Sequence, residues 1–329
     1  MDAPTPPPQF KNRKTGLVVF GILTILGGCV CASLALLMII MPMVTPPGGN
    51  PPPPVAKFPA LMYGALAVVF VWLGIGSILG RRWARALLAI LSWIFLIFGV
   101  CGLVFLGMMA PRMKEAMVAA RPPNQPPLPD SAGTAIIVVV FCFMTVFAVV
   151  GPLIWALFYS GRNVKATCEV MDPVPRWTDR SPLPVLAISL WLLTTALAML
   201  SMSFFYPLAP FFGMLTTGVA ARAYHLIFGI TWLYAAWALY RLDIRGWWIA
   251  LILMILSVIS AVITFSRHDI TEIYKLLGYP AEQIAIAQKM GMTSWITPWS
   301  TVIWSVPVII YLIYIRKFFA AVKTEPTAS

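Results

Sequence analysis

The 329 residues are 60% apolar and only 10% charged, with a mean hydropathy of +0.88. A soluble domain carries roughly 25% charged residues to cover its surface, so these proportions exclude an ordinary water-soluble globule. The net charge of +12 sits in short basic clusters at the ends of apolar runs. With no arginine–aromatic platform and no Gly-rich phosphate loop beside them, the clusters point to membrane topology and not to nucleic acid.

Residues 1–15 form a proline-rich, then basic, tail ending in Lys11, Arg13 and Lys14. The first apolar run, 16–41, is far longer than the roughly 7–15 residues of a cleavable signal sequence, so it is expected to stay as a span. The loop 42–59 holds Pro46, Pro47, Gly48, Gly49 and the run Pro51–Pro54, which denies helix and favours an extended spacer. Spans at 60–79 and 86–109 flank a tight basic turn, Gly80-Arg81-Arg82-Trp83-Ala84-Arg85. An outer loop, 110–133, contains a short helical stretch at 112–120 and a second proline cluster. Span four, 134–159, carries Pro152, which removes one backbone hydrogen bond and is expected to kink it.

A polar linker, 160–184, divides the chain. Spans five to eight follow at 185–205, 221–240, 246–265 and 298–315, the last with a kink expected at Pro307. Between spans seven and eight the outer loop 266–296 shows two helical signatures, 269–277 and 280–290. Residues 318–329 form a second tail. Each run approaches the ~20 residues that cross ~30 Å of hydrocarbon. The fold class expected is therefore an all-α polytopic bundle of about eight spans.

The two halves, 16–159 and 185–317, share a layout. Each has an isolated first helix, a hairpin with a basic turn, an outer loop and a proline-bearing last helix. Arg81-Arg82-Trp83 pairs with Arg245-Gly246-Trp247, and the stretch from Pro152 to Tyr159 pairs with that from Pro307 to Tyr314. Two parallel four-helix repeats, related by an axis along the membrane normal, are the architecture this layout implies. Of the 23 Lys and Arg residues, 15 fall at the two termini and the even-numbered loops and eight in the odd-numbered loops. Both termini are thus expected in the cytoplasm.

The hairpin 74–87, ending Gly-Arg-Arg-Trp-Ala-Arg-Ala-Leu, resembles a recurring element of bacterial polytopic integral membrane proteins. The resemblance implies a bacterial plasma (inner) membrane and carries no activity. The second copy departs from it, with Gly246 and Ile249 where the first has Arg82 and Arg85.

Chemistry is sparse. No charged residue lies near a predicted bilayer midplane, where ion-coupled carriers keep such groups at a cost of roughly 2.5–3.5 kcal/mol each. No paired aspartates, HExxH or serine-elbow pattern occurs. Arg267-His268-Asp269 looks reactive in type, but Asp269 reads more simply as a helix N-cap with Glu272 completing a capping box. Four of the five cysteines, Cys29, Cys31, Cys101 and Cys142, lie in predicted spans as small hydrophobes, and Cys168 lies in a loop. No catalytic, cofactor or metal residues are assigned. Arg81, Arg82, Trp83, Arg85, Arg245 and Trp247 are the candidate anchors for lipid headgroups and the interface. Buried hydroxyls at Ser189, Thr194, Thr195, Ser201, Ser257, Ser260 and Thr264 are read as packing groups.

The expected function is non-enzymatic: a structural, assembly or interaction protein that meets membrane lipids and a protein partner through loops 42–59, 110–133 and 266–296. An uncoupled transporter or lipid-handling protein, with a path between the repeats, is the alternative.

Overall fold

The computed structural model describes residues 10–44, 57–119, 130–206, 208–281, 284, 285, 288 and 296–321. The proline clusters of both outer loops, the ends of both tails and most of the expected helix 280–290 lie outside the described residues. Helices α1 (Lys14–Val44), α2 (Lys57–Ile78) and α3 (Arg82–Ala119) come first, followed by α4 (Asp130–Met144), a π-helical turn (Thr145–Val150) and α5 (Gly151–Ser160). Next are α6 (Arg162–Met171), a 3-10 turn (Trp177–Asp179) and α7 (Leu183–Phe205). A two-stranded hairpin, β1 (Leu208–Phe211) and β2 (Met214–Thr217), precedes α8 (Gly218–Tyr240), α9 (Ile244–Arg267), α10 (Ile270–Leu276) and α11 (Ile296–Ala321).

The described chain is overwhelmingly helical and divides into two compact units. Met1–Leu37, Leu61–Met108 and Val138–Arg180 make the first; Met38–Ala60, Met109–Ile137 and Ser181–Ser329 make the second. Seven stretches among the described residues are long and apolar enough to cross a bilayer. Helix α8, at the position expected for span six, has 23 residues but is not one of the seven. Arg222, His225 and its tyrosines and tryptophans dilute its apolar character.

In the first unit, α1 and α2 meet through glycine. A methyl group on Gly21 would stand 2.8 Å from the Gly74 carbonyl oxygen, and one on Gly74 would stand 2.7 Å from that of Gly21. One heptad along, Gly28 faces Ala67 in the same way, at 3.1 Å. Antiparallel helices with small residues seven apart can bring their backbones together along the whole seam. The unit's core gathers Leu17, Leu73, Leu88, Ala89, Tyr159 and Cys168.

Pro152 acts through the π turn. Lacking an N–H, it leaves the carbonyl of Ala148, four residues back, without its usual donor. The Gly151 N–H bonds to Val146 O, a five-residue step that widens the helix. A methyl group at Gly99 on α3 would overlap the Ala148 carbonyl group, so α3 must present glycine there. Two other prolines are carried without such a turn. Helix α11 runs through Pro307, and α3 runs through Pro111. The stretch 112–120, expected as a separate short helix, is thus largely the end of α3.

The second unit is centred on α7, α8, α9 and α11, with Leu192, Trp232, Leu239, Trp247, Leu312 and Ile315 in its core. The β-hairpin departs from the all-α expectation. Its turn offers no Asn-Gly or Asp-Gly signal, and Pro210 disfavours a strand. An isolated two-stranded hairpin is marginal at best; this one is held by other elements, described below. Phe212 (φ 42°) and Gly213 (φ 89°) at its tip are both left-handed, and a phenylalanine there costs about 1–2 kcal/mol.

The turns before α3 and α9 carry one hydrogen-bond pattern. Gly80 N–H bonds Ser77 O and Arg81 N–H bonds Gly76 O; Leu242 N–H bonds Leu239 O and Asp243 N–H bonds Ala238 O. Gly80 (φ 64°) and Leu242 (φ 59°) sit at the same left-handed position. This geometry matches Arg81 to Asp243 and Arg85 to Trp247, two residues out of step with the pairing read from the sequence motifs.

Candidate functional site

The basic turn that opens α3 meets the polar stretch 160–184, of which residues 162–180 form α6 and the 3-10 turn within the first unit. Asp172 stands at the centre, only 2% exposed. Its Oδ1 accepts from Arg176 Nη2 at 2.8 Å, and both its oxygens lie 3.2 Å from Arg176 Nε. The Arg82 backbone N–H donates to Oδ2 at 3.4 Å, and Arg81 Nη1 lies 3.8 Å from Oδ1. These hydrogen bonds, that from Arg176 foremost, hold the Asp172 carboxyl below its usual range against the opposing effect of burial.

Arg82 reaches two further carboxylates, Asp179 at 3.3 Å and Glu169 at 3.6 Å. Asp179 also accepts the Arg176 backbone N–H at 2.8 Å. Arg85 points inward and donates to the Tyr159 carbonyl at the end of α5, 3.2 Å away. Its neighbour Cys168 is buried, and desolvation pushes the thiol up to about 11, which leaves it unreactive near neutral pH. Tyr159 extends the network: its hydroxyl lies 2.7 Å from Ser77 Oγ, and Ser77 donates to Leu17 O at 2.9 Å.

The six anchor candidates therefore occupy different settings. Arg81 stays 42% exposed, Arg82 is clasped by carboxylates, and Arg85 is directed at a helix end. Trp83 stacks on Trp72 at 4.2 Å and 22° and packs over Gly76. In the second unit, Arg245 donates its backbone N–H to Asp243, the N-cap of α9. Trp247 is only 3% exposed and donates its indole N–H to Leu312 O at 2.7 Å, with the Arg316 guanidinium 5.2 Å from its ring centre. Arg85 and Trp247, matched by the turn geometry, thus each give a side-chain N–H to a carbonyl on a later helix.

A second polar constellation joins α9 to the β-hairpin. Ser260 Oγ accepts the Phe212 N–H and Thr264 Oγ1 accepts the Gly213 N–H, both at 2.9 Å. His268 Nε2 lies 3.2 Å from Gly213 O, and its Nδ1 lies 2.8 Å from Glu272 Oε2. Both ring nitrogens face acceptors, so the geometry suits the doubly protonated imidazolium. The Glu272 hydrogen bond, above all, raises the His268 pKa. Asp269 does cap α10, accepting from Thr271 N–H at 3.3 Å, but Glu272 bonds His268 instead of closing a capping box.

Four of the other hydroxyls turn back on their own helices: Ser189 to Val185 O, Thr194 to Leu190 O, Thr195 to Trp191 O and Ser201 to Leu197 O, at 2.8–3.0 Å. His225 on α8 is buried, edge-on to Tyr206 and Tyr224, with its Nδ1 unpartnered among the described residues. Among the described residues no three His, Cys, Asp or Glu side chains are grouped to hold a metal ion.

Seven apolar helical stretches of spanning length, with lipid-ready leucine, isoleucine and valine on their outer faces, define the class as a multi-pass α-helical membrane protein. No protein-family model, curated protein or solved structure matches the chain.

Proposed function

We propose that this chain is a non-enzymatic structural or assembly protein of a bacterial plasma membrane, spanning it eight times as two parallel four-helix repeats with both termini in the cytoplasm. It meets a protein partner through its outer loops, 42–59, 110–133 and 266–296. The carrying observation is how its membrane hydroxyls are used. Thr194 and Thr195 bond to their own helix, while Ser260 and Thr264 hold the hairpin backbone. A hydroxyl whose proton is spent on its own helix has no donor left to offer a passing polar substrate.

The repeat reading is supported by the shared bonding of the turns at Gly80 and Leu242. Of the six anchor candidates, Arg81 in the first unit and Arg245 in the second have side chains open to anionic headgroups at the inner boundary of their spans. Each near-surface charge contributes about 1 kcal/mol there. The test is cysteine substitution at Thr194 and Thr195 in native membranes, followed by a polar thiol reagent and by purification in mild detergent. A structural role predicts no labelling and a stoichiometric co-purifying protein. Labelling at both positions without a partner would instead make the protein an uncoupled transporter.

A further inference from the structure

Hairpin turns ordinarily leave their tip amides to water. Here the Phe212 and Gly213 amides are taken by Ser260 and Thr264, hydroxyls of an apolar span. Those two residues lie seven and three positions before Arg267, the last residue of α9. At 1.5 Å per residue, the tip thus sits beside the helix about 5–10 Å short of its end. Backbone at that depth is tolerated only where protein supplies its hydrogen bonds, and α9 supplies them.

The outward side chains agree. Phe211, Phe212 and Met214 are exposed at the tip, and Phe204 and Val219 are exposed where α7 and α8 enter and leave the hairpin. On the inner side, Leu208 and Ala209 are buried. Arg267, whose guanidinium lies against Gly213, marks the polar limit of the span. We infer that the hairpin is a re-entrant wedge that presents Phe211, Phe212 and Met214 to the acyl-chain boundary of the outer leaflet. The surface continues the lipid-facing side of α8 and α9, and its occupant is the lipid of that boundary, not water. The inference rests on α9 being a membrane span, and its assignment to the outer leaflet on the proposed topology, but not on any role for the protein.

The test places a nitroxide at Met214, 57% exposed, after replacing the five cysteines by alanine, in nanodiscs of bacterial phospholipid. A second probe at Val68, in the middle of α2, reports on the spans themselves. The wedge predicts that oxygen relaxes the Met214 label more than a water-soluble nickel chelate does, at a depth of about 5–10 Å below the headgroups. The double variant S260A/T264A is expected to shift that label into water. A water-exposed Met214 beside a lipid-exposed Val68 overturns the wedge alone; water at both positions overturns the membrane reading. Should the cysteine-free protein fail to fold, benzoylphenylalanine at Met214 in the native-cysteine protein decides the matter. Photocrosslinks to phospholipid support the wedge, and their absence overturns it.

Discussion

At Asp172 a nearly buried carboxylate is neutralised by groups from two places in the chain, the turn at Arg81 and Arg82 and the nearby Arg176. Removing its charge leaves the Arg176 and Arg82 donors facing a weaker acceptor, so Asp172→Asn is expected to cost about 1–3 kcal/mol, read as a lower Tm in detergent. The depressed folded pKa sets the sign: this contribution is present above the unfolded value near 3.8 and is lost as pH falls through the lower folded value. His268 runs the other way. Its folded pKa is raised, so the hold on the hairpin is complete below about pH 6.5 and is lost as pH rises through the folded value. Protection of the Phe212 and Gly213 amides from hydrogen exchange, relative to the intrinsic rate at each pH, is expected to fall over that rise, and His268→Gln is expected to make that protection independent of pH while leaving the bonds to Ser260 and Thr264. Neither residue was legible as a site in sequence. Asp172 was one acid among several in a polar stretch, and its partner Arg82 lies 90 residues away. The role of Asp269 as an N-cap was legible, because a cap is local.

Among elements, the π turn and the glycine seam show how spans fit together. Since the Ala148 carbonyl has no room to retreat into its own helix, Gly99→Ala is expected to destabilise the first unit by about 1–3 kcal/mol. Pro152→Ala restores a donor four residues after Ala148, and is expected to be the milder change when both are compared by thermal unfolding. Sequence placed the proline, but only the tertiary structure showed the π turn before it and the glycine with which α3 answers it. The α1–α2 seam has the same lesson. The contacts pair Gly21 with Gly74 and Gly28 with Ala67, a seven-residue spacing that takes meaning only once two helices lie antiparallel. The hairpin was invisible for a related reason: its tip is stabilised by residues some 50 positions later, not by turn chemistry of its own.

Over the whole molecule, the weight falls on α8. If α8 crosses the membrane, eight spans return the carboxyl end to the side of the amino end; without it, seven spans place the ends on opposite sides. Reporter fusions at both termini are expected to show both in the cytoplasm, and opposite locations would remove α8 from the membrane. Composition and the length of the apolar runs determined by themselves that the chain is a helical protein built for lipid, because both properties are summed over contiguous residues; the helix α6 in the polar stretch 160–184 was not among them. The clasp on Asp172, the docking of the hairpin onto α9 and the two-residue offset between the turns at Gly80 and Leu242 came only from the tertiary structure. Each depends on hydrogen bonds and contacts whose geometry no local pattern of residues encodes.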